Sequence, residues 1–243
     1  MKVDVLGVGF DALDMEAALD VAARWLEEPK ARYVVTPNAE IAYAAFKDAE
    51  LRETLNGADM VLPDGVGIIK GAQTLGRPLA GRVPGCEFGP RLAARMAGAG
   101  KRLYLLGAAP GVADASADKL RRDCPGLTVC GVRDGYFKSD GEALADIVEA
   151  KPDVMFVCLG SPKQERWMRR NLDKVGPVLM LGLGGTLDLL AGRVSRAPGV
   201  FQRLGLEWLY RIGFSPKRWG RAMALPRFLA AVRRQKRQER RAG

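Results

Sequence analysis

The 243-residue sequence contains no histidine and only four cysteines. The absence of histidine excludes a Ser-His-Asp triad, and because no two cysteines form a Cys-x-x-Cys pair, a zinc site built from cysteine and histidine is excluded as well. Cysteines of this kind in a reducing compartment are typical packing residues.

Long apolar runs are also missing, although hydrophobic residues make up 48% of the chain. No run approaches the roughly 20 residues that a helix needs to cross a bilayer. The first apolar run, Val3–Val8, contains an aspartate and predicts a β-strand instead of a signal peptide. These features predict a cytoplasmic protein with enough apolar residues for one large α/β domain.

Acidic residues are scarce near the C-terminus. The chain carries a net charge of +10, and residues 203–243 hold 12 Lys+Arg against 2 Asp+Glu, so the first 202 residues are neutral overall. Such asymmetry indicates a polyanionic partner, either anionic lipid or nucleic acid. Aromatic and aliphatic residues alternate with arginines at helical spacing here, which favours an amphipathic, membrane-associating segment. A solvated C-terminal helix and a nucleic-acid-binding segment are the alternatives, but residues 1–202 show no nucleic-acid motif.

In residues 1–202, short apolar runs alternate with longer amphipathic ones. This rhythm predicts an α/β domain with a mostly parallel, Rossmann-like sheet and helices on both faces, followed by a basic helical appendage at 203–243. Ligands of such folds bind at the carboxyl ends of the strands, where helix N-termini favour phosphate. The predicted strands are Val3–Val8, Arg32–Thr36, Met60–Leu62, Arg102–Leu106, Leu127–Val132, Val154–Leu159 and Val178–Leu183.

Polar side chains stand at the ends of two early strands. Thr36 and Asn38 end one, and Asp64 follows Met60–Leu62 between a proline and a glycine. A carboxylate in that place can accept a proton from an attacking hydroxyl. Alternatively, Asp64 is the N-cap of a helix over Gly65–Leu75. The residues alone leave both interpretations open.

The run Leu159–Met168 follows a later strand. Ser161 is a predicted N-cap, with Pro162 at the first helical position. Capping explains these two residues but not the Gln164-Glu165-Arg166 sequence behind them. We therefore expect Gln164 and Glu165 to lie in the first helical turn, near any ligand at that end of the helix.

Other candidates occupy loops. Arg82 lies in the short loop Gly81–Gly85, and the residues alone leave open whether it is a solvated loop arginine or part of the site. A nucleotide pocket is predicted from residues at or just beyond strand ends, among which Asp188 either accepts hydrogen bonds from a ribose or base or caps a helix. These pocket candidates are Gly107, Gly131, Tyr136, Gly160, Ser161, Gly185 and Asp188.

Several separated motifs together resemble the WecG/TagA/CpsF glycosyltransferases, also called glycosyltransferase family 26. They occur in the same order along nearly the whole chain, which makes the resemblance specific. The matching stretches are Thr36–Glu40, Ala58–Gly67, Leu159–Met168, Gly182–Pro198 and Glu207–Arg218.

The resemblance implies an inverting, metal-independent transfer of a sugar, commonly N-acetylmannosamine or its uronic acid, from a UDP donor. The acceptor would be a polyprenyl-diphosphate-linked sugar in the synthesis of a cell-surface polysaccharide or teichoic acid linkage. The protein would be peripheral on the inner face of the cell membrane, with an anionic membrane surface as a partner. A different UDP-sugar, such as a glucose or uronic acid donor, and a membrane-tethered nucleotide-binding regulatory protein are the alternatives. The residues do not decide whether the chain forms a homo-oligomer.

The resemblance also implies roles for individual residues. Asp64 matches the proposed base, Thr36 and Asn38 the neighbouring pocket, Arg82 an active-site arginine and Gln164 a residue near the donor. Arginines of the C-terminal segment are proposed to reach the diphosphates in this family. They correspond to Arg211, Arg218 and Arg221.

One part of this expectation has independent support in the sequence. No two aspartates have the Asp-x-Asp spacing that holds a divalent metal in many other sugar transferases. A transferase without metal must neutralise the departing diphosphate with arginine, lysine, backbone amides and helix dipoles. Direct displacement with inversion needs a single base, for which Asp64 suffices. We therefore expect neither a metal nor a cofactor.

Overall fold

Six short apolar segments form a parallel sheet in the computed structural model, which describes residues 1–195, 197–198 and 224–242. Three of its four inner strands are buried along their whole length, as expected for a sheet that is covered on both faces: Arg32–Val35, Val154–Cys158 and Leu179–Gly182. The predicted α/β fold with a mostly parallel sheet is confirmed. Side by side, the strands are β4 (Met60–Val61), β3 (Arg32–Val35), β8 (Leu179–Gly182), β7 (Val154–Cys158), β5 (Arg102–Gly107) and β6 (Thr128–Arg133).

Helices cover both faces of this sheet. Because successive side chains of a strand point to opposite faces, the strands contribute to two separate hydrophobic cores. One core is closed by α2 (Ala39–Lys47), α3 (Ala49–Asn56), α4 (Val66–Leu75), α7 (Asp140–Ala150) and α8 (Lys163–Asn171). The other is closed by α1 (Met15–Trp25), α5 (Gly85–Met96), α6 (Val112–Asp123) and α9 (Thr186–Leu190). A 3-10 turn, Leu172–Lys174, follows α8.

The prediction of one first strand over Val3–Val8 is wrong. The chain turns at Leu6 and Gly7, whose φ angles are 57° and 82°. It forms an antiparallel hairpin of β1 (Lys2–Val5) and β2 (Val8–Asp11), which lies outside the parallel sheet. Glycine takes this left-handed conformation readily. The hydropathy pattern does not show the turn, because Leu6 is apolar and buried like the strand residues around it.

The described C-terminal residues form a long helix, α10 (Ala224–Ala242), which packs against α2 and α4. Phe228 and Val232 are fully buried in this contact. A Cβ atom added to Gly71 of α4 would lie 2.9 Å from the Phe228 ring, so the two helices approach closely here. None of the described helices is long and apolar enough to cross a membrane.

The opposite face of α10 is basic. Six arginines are exposed on it: Arg227, Arg233, Arg234, Arg237, Arg240 and Arg241. The helix therefore combines an apolar face on the body with a positively charged face towards solvent. The division into a domain at 1–202 and an appendage at 203–243 stays a prediction, and the described part of the appendage lies against the domain.

Candidate active site

The carboxyl ends of β3, β8 and β7 lie side by side and carry most of the candidate residues. The chain leaves β3 and β7 towards α2 and α8 on one face, whereas it leaves β8 towards α9 on the opposite face. Ligands of open α/β sheets bind where neighbouring connections diverge in this way. The fold alone therefore points to this edge of the sheet.

Thr36 ties the end of β3 to the end of β8. Its side chain is buried, and Thr36 Oγ1 donates a hydrogen bond of 3.0 Å to the carbonyl oxygen of Gly182. A Cβ atom added to Gly85 would lie 2.8 Å from Thr36 Oγ1, so the start of α5 also reaches this point. Three elements that are distant in sequence thus meet at one hydroxyl group.

Asn38 is the N-cap of α2. Its Oδ1 accepts hydrogen bonds from the backbone N–H groups of Glu40 and Ile41, at 2.9 and 3.1 Å. Such a bond satisfies backbone donors that have no partner within the helix. Any contact of Asn38 with a substrate would therefore come from its amide nitrogen.

The loops of Asp64 and Arg82 are joined by the backbone. The N–H of Val83 donates a hydrogen bond of 2.7 Å to the carbonyl of Pro63, so the residues next to each are neighbours in space. The N–H of Asp64 donates in turn to the carbonyl of Pro37, at 3.3 Å. Asp64 and Arg82, both half-buried, are thus placed beside the loop after β3.

The alternative in which Asp64 caps a helix is wrong. Helix α4 begins at Val66 and its N-cap is Gly65, which has a φ of 83° and no side chain to cap with. Asp64 lies one residue too early for this role. Helix capping therefore does not account for a carboxylate at this position.

Gln164 connects the loop after β7 with the loop after β8. The side chain is 2% exposed. Its Oε1 accepts a hydrogen bond of 3.1 Å from the N–H of Gly184, and its Nε2 donates one of 2.9 Å to Oε1 of Glu165. Both ends of the amide are therefore held by partners.

Glu165 is a candidate site residue whose burial the sequence did not reveal. It is 2% exposed, and its Oε2 makes no hydrogen bond within the part of the chain that the structure describes. Burial raises the pKa of its carboxyl, while its own backbone amide and the side chains of Gln164 and Ser161 act in the opposite direction. The signal that could have found it is the Gln164-Glu165-Arg166 sequence, which capping left unexplained.

The prediction of Ser161 as an N-cap is wrong. Helix α8 begins at Lys163 with Pro162 in the N-cap position, and no side chain caps it. Because proline occupies the cap position, Ser161 is displaced from it by one residue. Its side chain instead lowers the pKa of the Glu165 carboxyl and so opposes the effect of burial.

The turn after β6 lies beside the turns after β5 and β7. The N–H of Gly135 donates a hydrogen bond of 2.9 Å to the carbonyl of Ala108, and Lys163 Nζ donates one of 3.2 Å to the carbonyl of Gly135. Tyr136 follows in this turn and is 75% exposed. The structure thus joins a second set of candidates on the far side of β7 from Asp64.

Two glycines flank open space near Gln164. Gly160 and Gly184 have φ angles of 76° and 58°, and a Cβ atom added to either would meet nothing within 4 Å. Both glycines belong to loops that leave the carboxyl edge of the sheet. A ligand can therefore approach the backbone on either side of Gln164.

The glycines of β5 and β6 have a different explanation. A Cβ atom on Gly107 would lie 2.3 Å from the carbonyl oxygen of Cys158, and one on Gly131 would lie 2.5 Å from the ring of Tyr104. The packing of the sheet therefore requires glycine at both positions. Gly131 also lies inside β6 and not at its end, so its predicted placement at a strand end is wrong.

Gly185 and Asp188 belong to the start of α9. Gly185 is its exposed N-cap, and no side chain caps this helix, so the alternative in which Asp188 caps it is wrong. Asp188 lies half-buried in the first turn, where the helix dipole favours a negative charge. Among the described residues, no three His, Cys, Asp or Glu side chains are grouped to hold a metal ion. Arg211, Arg218 and Arg221 lie outside the described residues.

A parallel α/β sheet with a carboxylate, an arginine and two amides near its carboxyl edge places the chain in the doubly wound α/β class, with a candidate active site at that edge. Residues 3–242 match the model of the glycosyl transferase family described as WecG/TagA/CpsF. The chain belongs to this family, and the prediction of a glycosyltransferase is confirmed.

Two curated relatives carry the same name. A protein of Bacillus spizizenii is 35% identical over 208 residues, which cover 86% of this chain and 81% of the relative. A protein of Staphylococcus aureus is 32% identical over 239 residues, which cover 97% of this chain and 94% of the relative. Each is an N-acetylglucosaminyldiphosphoundecaprenol N-acetyl-beta-D-mannosaminyltransferase.

Proposed function

We propose that this enzyme transfers N-acetylmannosamine from a UDP donor to N-acetylglucosamine on a polyprenyl diphosphate. The names of the two relatives support the sugar and the acceptor, since both act on N-acetylglucosaminyldiphosphoundecaprenol. The observation that supports the chemistry is the backbone hydrogen bond of 2.7 Å from the N–H of Val83 to the carbonyl of Pro63, which makes the loops of Asp64 and Arg82 neighbours. A base and a cation on neighbouring loops suit displacement of an anionic leaving group.

In this proposal Asp64 is the base. Its carboxylate accepts the proton of an acceptor hydroxyl while that oxygen forms a bond to the anomeric carbon of the donor. The bond from this carbon to the UDP oxygen breaks at the same time, so the configuration inverts. A single carboxylate is sufficient because no covalent sugar intermediate forms. The half-buried position of Asp64 beside the loop after β3 supports the assignment.

The departing UDP acquires negative charge, which positive groups at the edge of the sheet would stabilise. Arg82 is the first candidate, and the N-terminus of α8 with Lys163 is the second. Open space beside Gly160 supports a diphosphate at that helix end. We propose that these groups replace the divalent metal of other sugar transferases.

The nucleoside would lie on the other side of β7. Tyr136 offers an exposed ring on which a flat base can stack, and Asp188 offers a carboxylate to the ribose or base. The contacts among Ala108, Gly135 and Lys163 support a continuous surface between this region and Gln164. Thr36 and Asn38 would border the sugar from the other side.

We also propose that the enzyme binds the membrane peripherally through its C-terminal segment. The exposed arginines of α10 support this role, because each basic residue near an anionic bilayer contributes about 1 kcal/mol. Arg211, Arg218 and Arg221 would reach the acceptor diphosphate. Lipid-linked acceptors stay at the bilayer surface, so membrane binding would bring the acceptor to Asp64.

A transfer assay tests the proposal directly. Purified enzyme would be given UDP-linked N-acetylmannosamine, N-acetylglucosamine, glucose and a uronic acid, each with a short-chain lipid diphosphate that carries N-acetylglucosamine. We expect product with the N-acetylmannosamine donor and inverted configuration by NMR. Preference for another donor would correct the sugar, and absence of transfer with every donor would overturn the function.

A further inference from the structure

A buried carboxyl group lies directly beside Gln164 and has no role in the chemistry proposed above. Glu165 is 2% exposed, and one of its oxygens, Oε2, makes no hydrogen bond among the described residues. A buried polar atom without a partner costs about 1–3 kcal/mol of stability. An apolar side chain of similar length would avoid this cost but would leave the buried Nε2 of Gln164 without its acceptor, so the role of the glutamate lies in its bond to Gln164.

The hydrogen bonds of Gln164 show what the carboxyl does. The backbone N–H of Gly184 is a donor, so the end of the Gln164 amide that faces it at 3.1 Å must be the oxygen. The nitrogen end then points to Glu165, whose Oε1 accepts at 2.9 Å. With an acceptor at one end and a donor at the other, only one orientation of the amide satisfies both partners.

The neighbouring backbone leaves room for this orientation. A Cβ atom added to Gly182 would lie 3.3 Å from Gln164 Nε2 and 2.7 Å from Met168 Cε. Glycine at this position therefore lets the amide reach the end of β8. Gly182 also accepts the hydrogen bond of Thr36, so the amide nitrogen lies next to the Thr36 pocket.

We propose that Glu165 is a positioning residue that fixes the amide of Gln164, so that one N–H is held by Glu165 and the second is directed at the donor substrate. The inference rests on the proposed function for the identity of that substrate. It assigns Glu165 no contact with the reacting atoms. Its effect on transfer passes through Gln164.

A double-mutant cycle tests this dependence. Glu165→Gln keeps an acceptor oxygen for Gln164, whereas Glu165→Met fills a similar volume without one. We expect Glu165→Met to lower kcat/KM for the donor about tenfold, the scale of one lost hydrogen bond, and Glu165→Gln to stay within about twofold of wild type. In a Gln164→Ala background, Glu165→Met should change kcat/KM by less than about twofold, because its target is absent.

The stability of Glu165→Met distinguishes the proposed positioning role of Glu165 from a purely structural one. Glu165→Met removes the cost of burying Oε2 but leaves the buried Nε2 of Gln164 without its acceptor, and because each effect is about 1–3 kcal/mol, the midpoint of urea unfolding should change little. A structural role predicts the opposite, with stability and activity falling together. Equal tenfold losses in both backgrounds, or an equal loss in Glu165→Gln, would overturn the proposal.

A second readout does not depend on activity. The side-chain amide protons of Gln164 can be assigned by NMR from the signals that Gln164→Ala removes. We expect their exchange with water to be slow in wild type and in Glu165→Gln, and fast in Glu165→Met. Unchanged exchange in Glu165→Met would contradict the proposal. The proposed function can fail separately. In that case the wild-type enzyme would show no transfer, but the exchange of the Gln164 amide protons would still become faster in Glu165→Met.

Discussion

The carboxyl edge of the sheet and helix α10 hold their polar groups in opposite ways. At the edge, Thr36, Gln164 and Glu165 are buried; single hydrogen bonds join Thr36 and Gln164 to the end of β8 and the loop after it, and Glu165 accepts one from Gln164. On α10, the arginine side chains are exposed, whereas the apolar side chains of Phe228 and Val232 are buried. The edge of the sheet holds individual polar atoms in fixed positions, whereas α10 presents several exposed positive charges to solvent.

This difference shows what each region can recognise. Buried hydrogen bonds are directional, and their loss leaves a group without a partner, so a change of one atom has a large effect. Exposed charges are screened and act through their sum, so each substitution has a small effect. The edge therefore suits selection of a sugar nucleotide, and α10 suits attraction to an anionic surface.

The largest effect is expected from Asp64→Asn. Loss of the base should lower kcat by about 10³-fold, while donor binding and the unfolding midpoint stay near wild type. A transfer assay and calorimetry with UDP measure the two quantities separately. The matched control is Asp118→Asn, which alters an exposed carboxylate on α6 and should leave transfer unchanged. Near-normal turnover of Asp64→Asn would remove Asp64 from the role of base.

Much of the fold could be predicted because buried parallel strands are written as continuous apolar runs. Val154–Cys158 is an example, since all of its residues are buried. The N-terminal hairpin could not be predicted in this way. Its turn at Leu6 and Gly7 depends on backbone angles, and the buried Leu6 keeps the hydropathy pattern unbroken.

The candidate site was predictable residue by residue but not as an arrangement. Thr36 and Gly182 are 146 residues apart in sequence, so nothing local shows that they share a hydrogen bond. Glu165 shows a second limit, because a glutamate in a first helical turn is normally exposed. Its inward direction follows from how α8 packs on β7 and β8, which the local sequence does not encode.

The apolar face of α10 gives the next largest effect. Phe228→Ala should lower the free energy of unfolding by about 3–5 kcal/mol, because Phe228 is fully buried between α10 and α4. The matched control is Phe46→Ala on α2, where the side chain is 48% exposed and the expected loss is below about 1 kcal/mol. Urea unfolding measures both values. Equal small losses would show that α10 is not part of the folded body.

The basic face of α10 should have a smaller effect that depends on salt. Arg233→Gln with Arg234→Gln removes two exposed charges and should weaken binding to anionic vesicles about 30-fold, the equivalent of about 2 kcal/mol. Arg121→Gln with Arg122→Gln on α6 removes the same charge from exposed positions of another helix and should have little effect. Co-sedimentation with vesicles that contain about one third anionic lipid measures the difference, which should shrink as salt is raised.

The same variants separate a membrane from a nucleic acid as the partner of this face. We expect wild-type protein to be retained by anionic vesicles, and single- or double-stranded nucleic acid not to compete with them at physiological salt. Binding to nucleic acid with a steep salt dependence, together with no retention by vesicles, would reject the membrane proposal. Equal losses in the α6 and α10 variants would show that net charge matters and the position of α10 does not.

The smallest expected effect is that of a chelator on transfer. If Arg82, Lys163 and the N-terminus of α8 stabilise the departing diphosphate, kcat should remain within about twofold of its value after treatment with excess EDTA. The comparison between the two regions makes this test specific, because magnesium also screens an anionic vesicle and would change membrane binding. Transfer should therefore be measured with a short-chain acceptor in the absence of vesicles. Loss of transfer that added magnesium or manganese restores would contradict a metal-free mechanism and would assign part of the charge at the edge of the sheet to a bound cation.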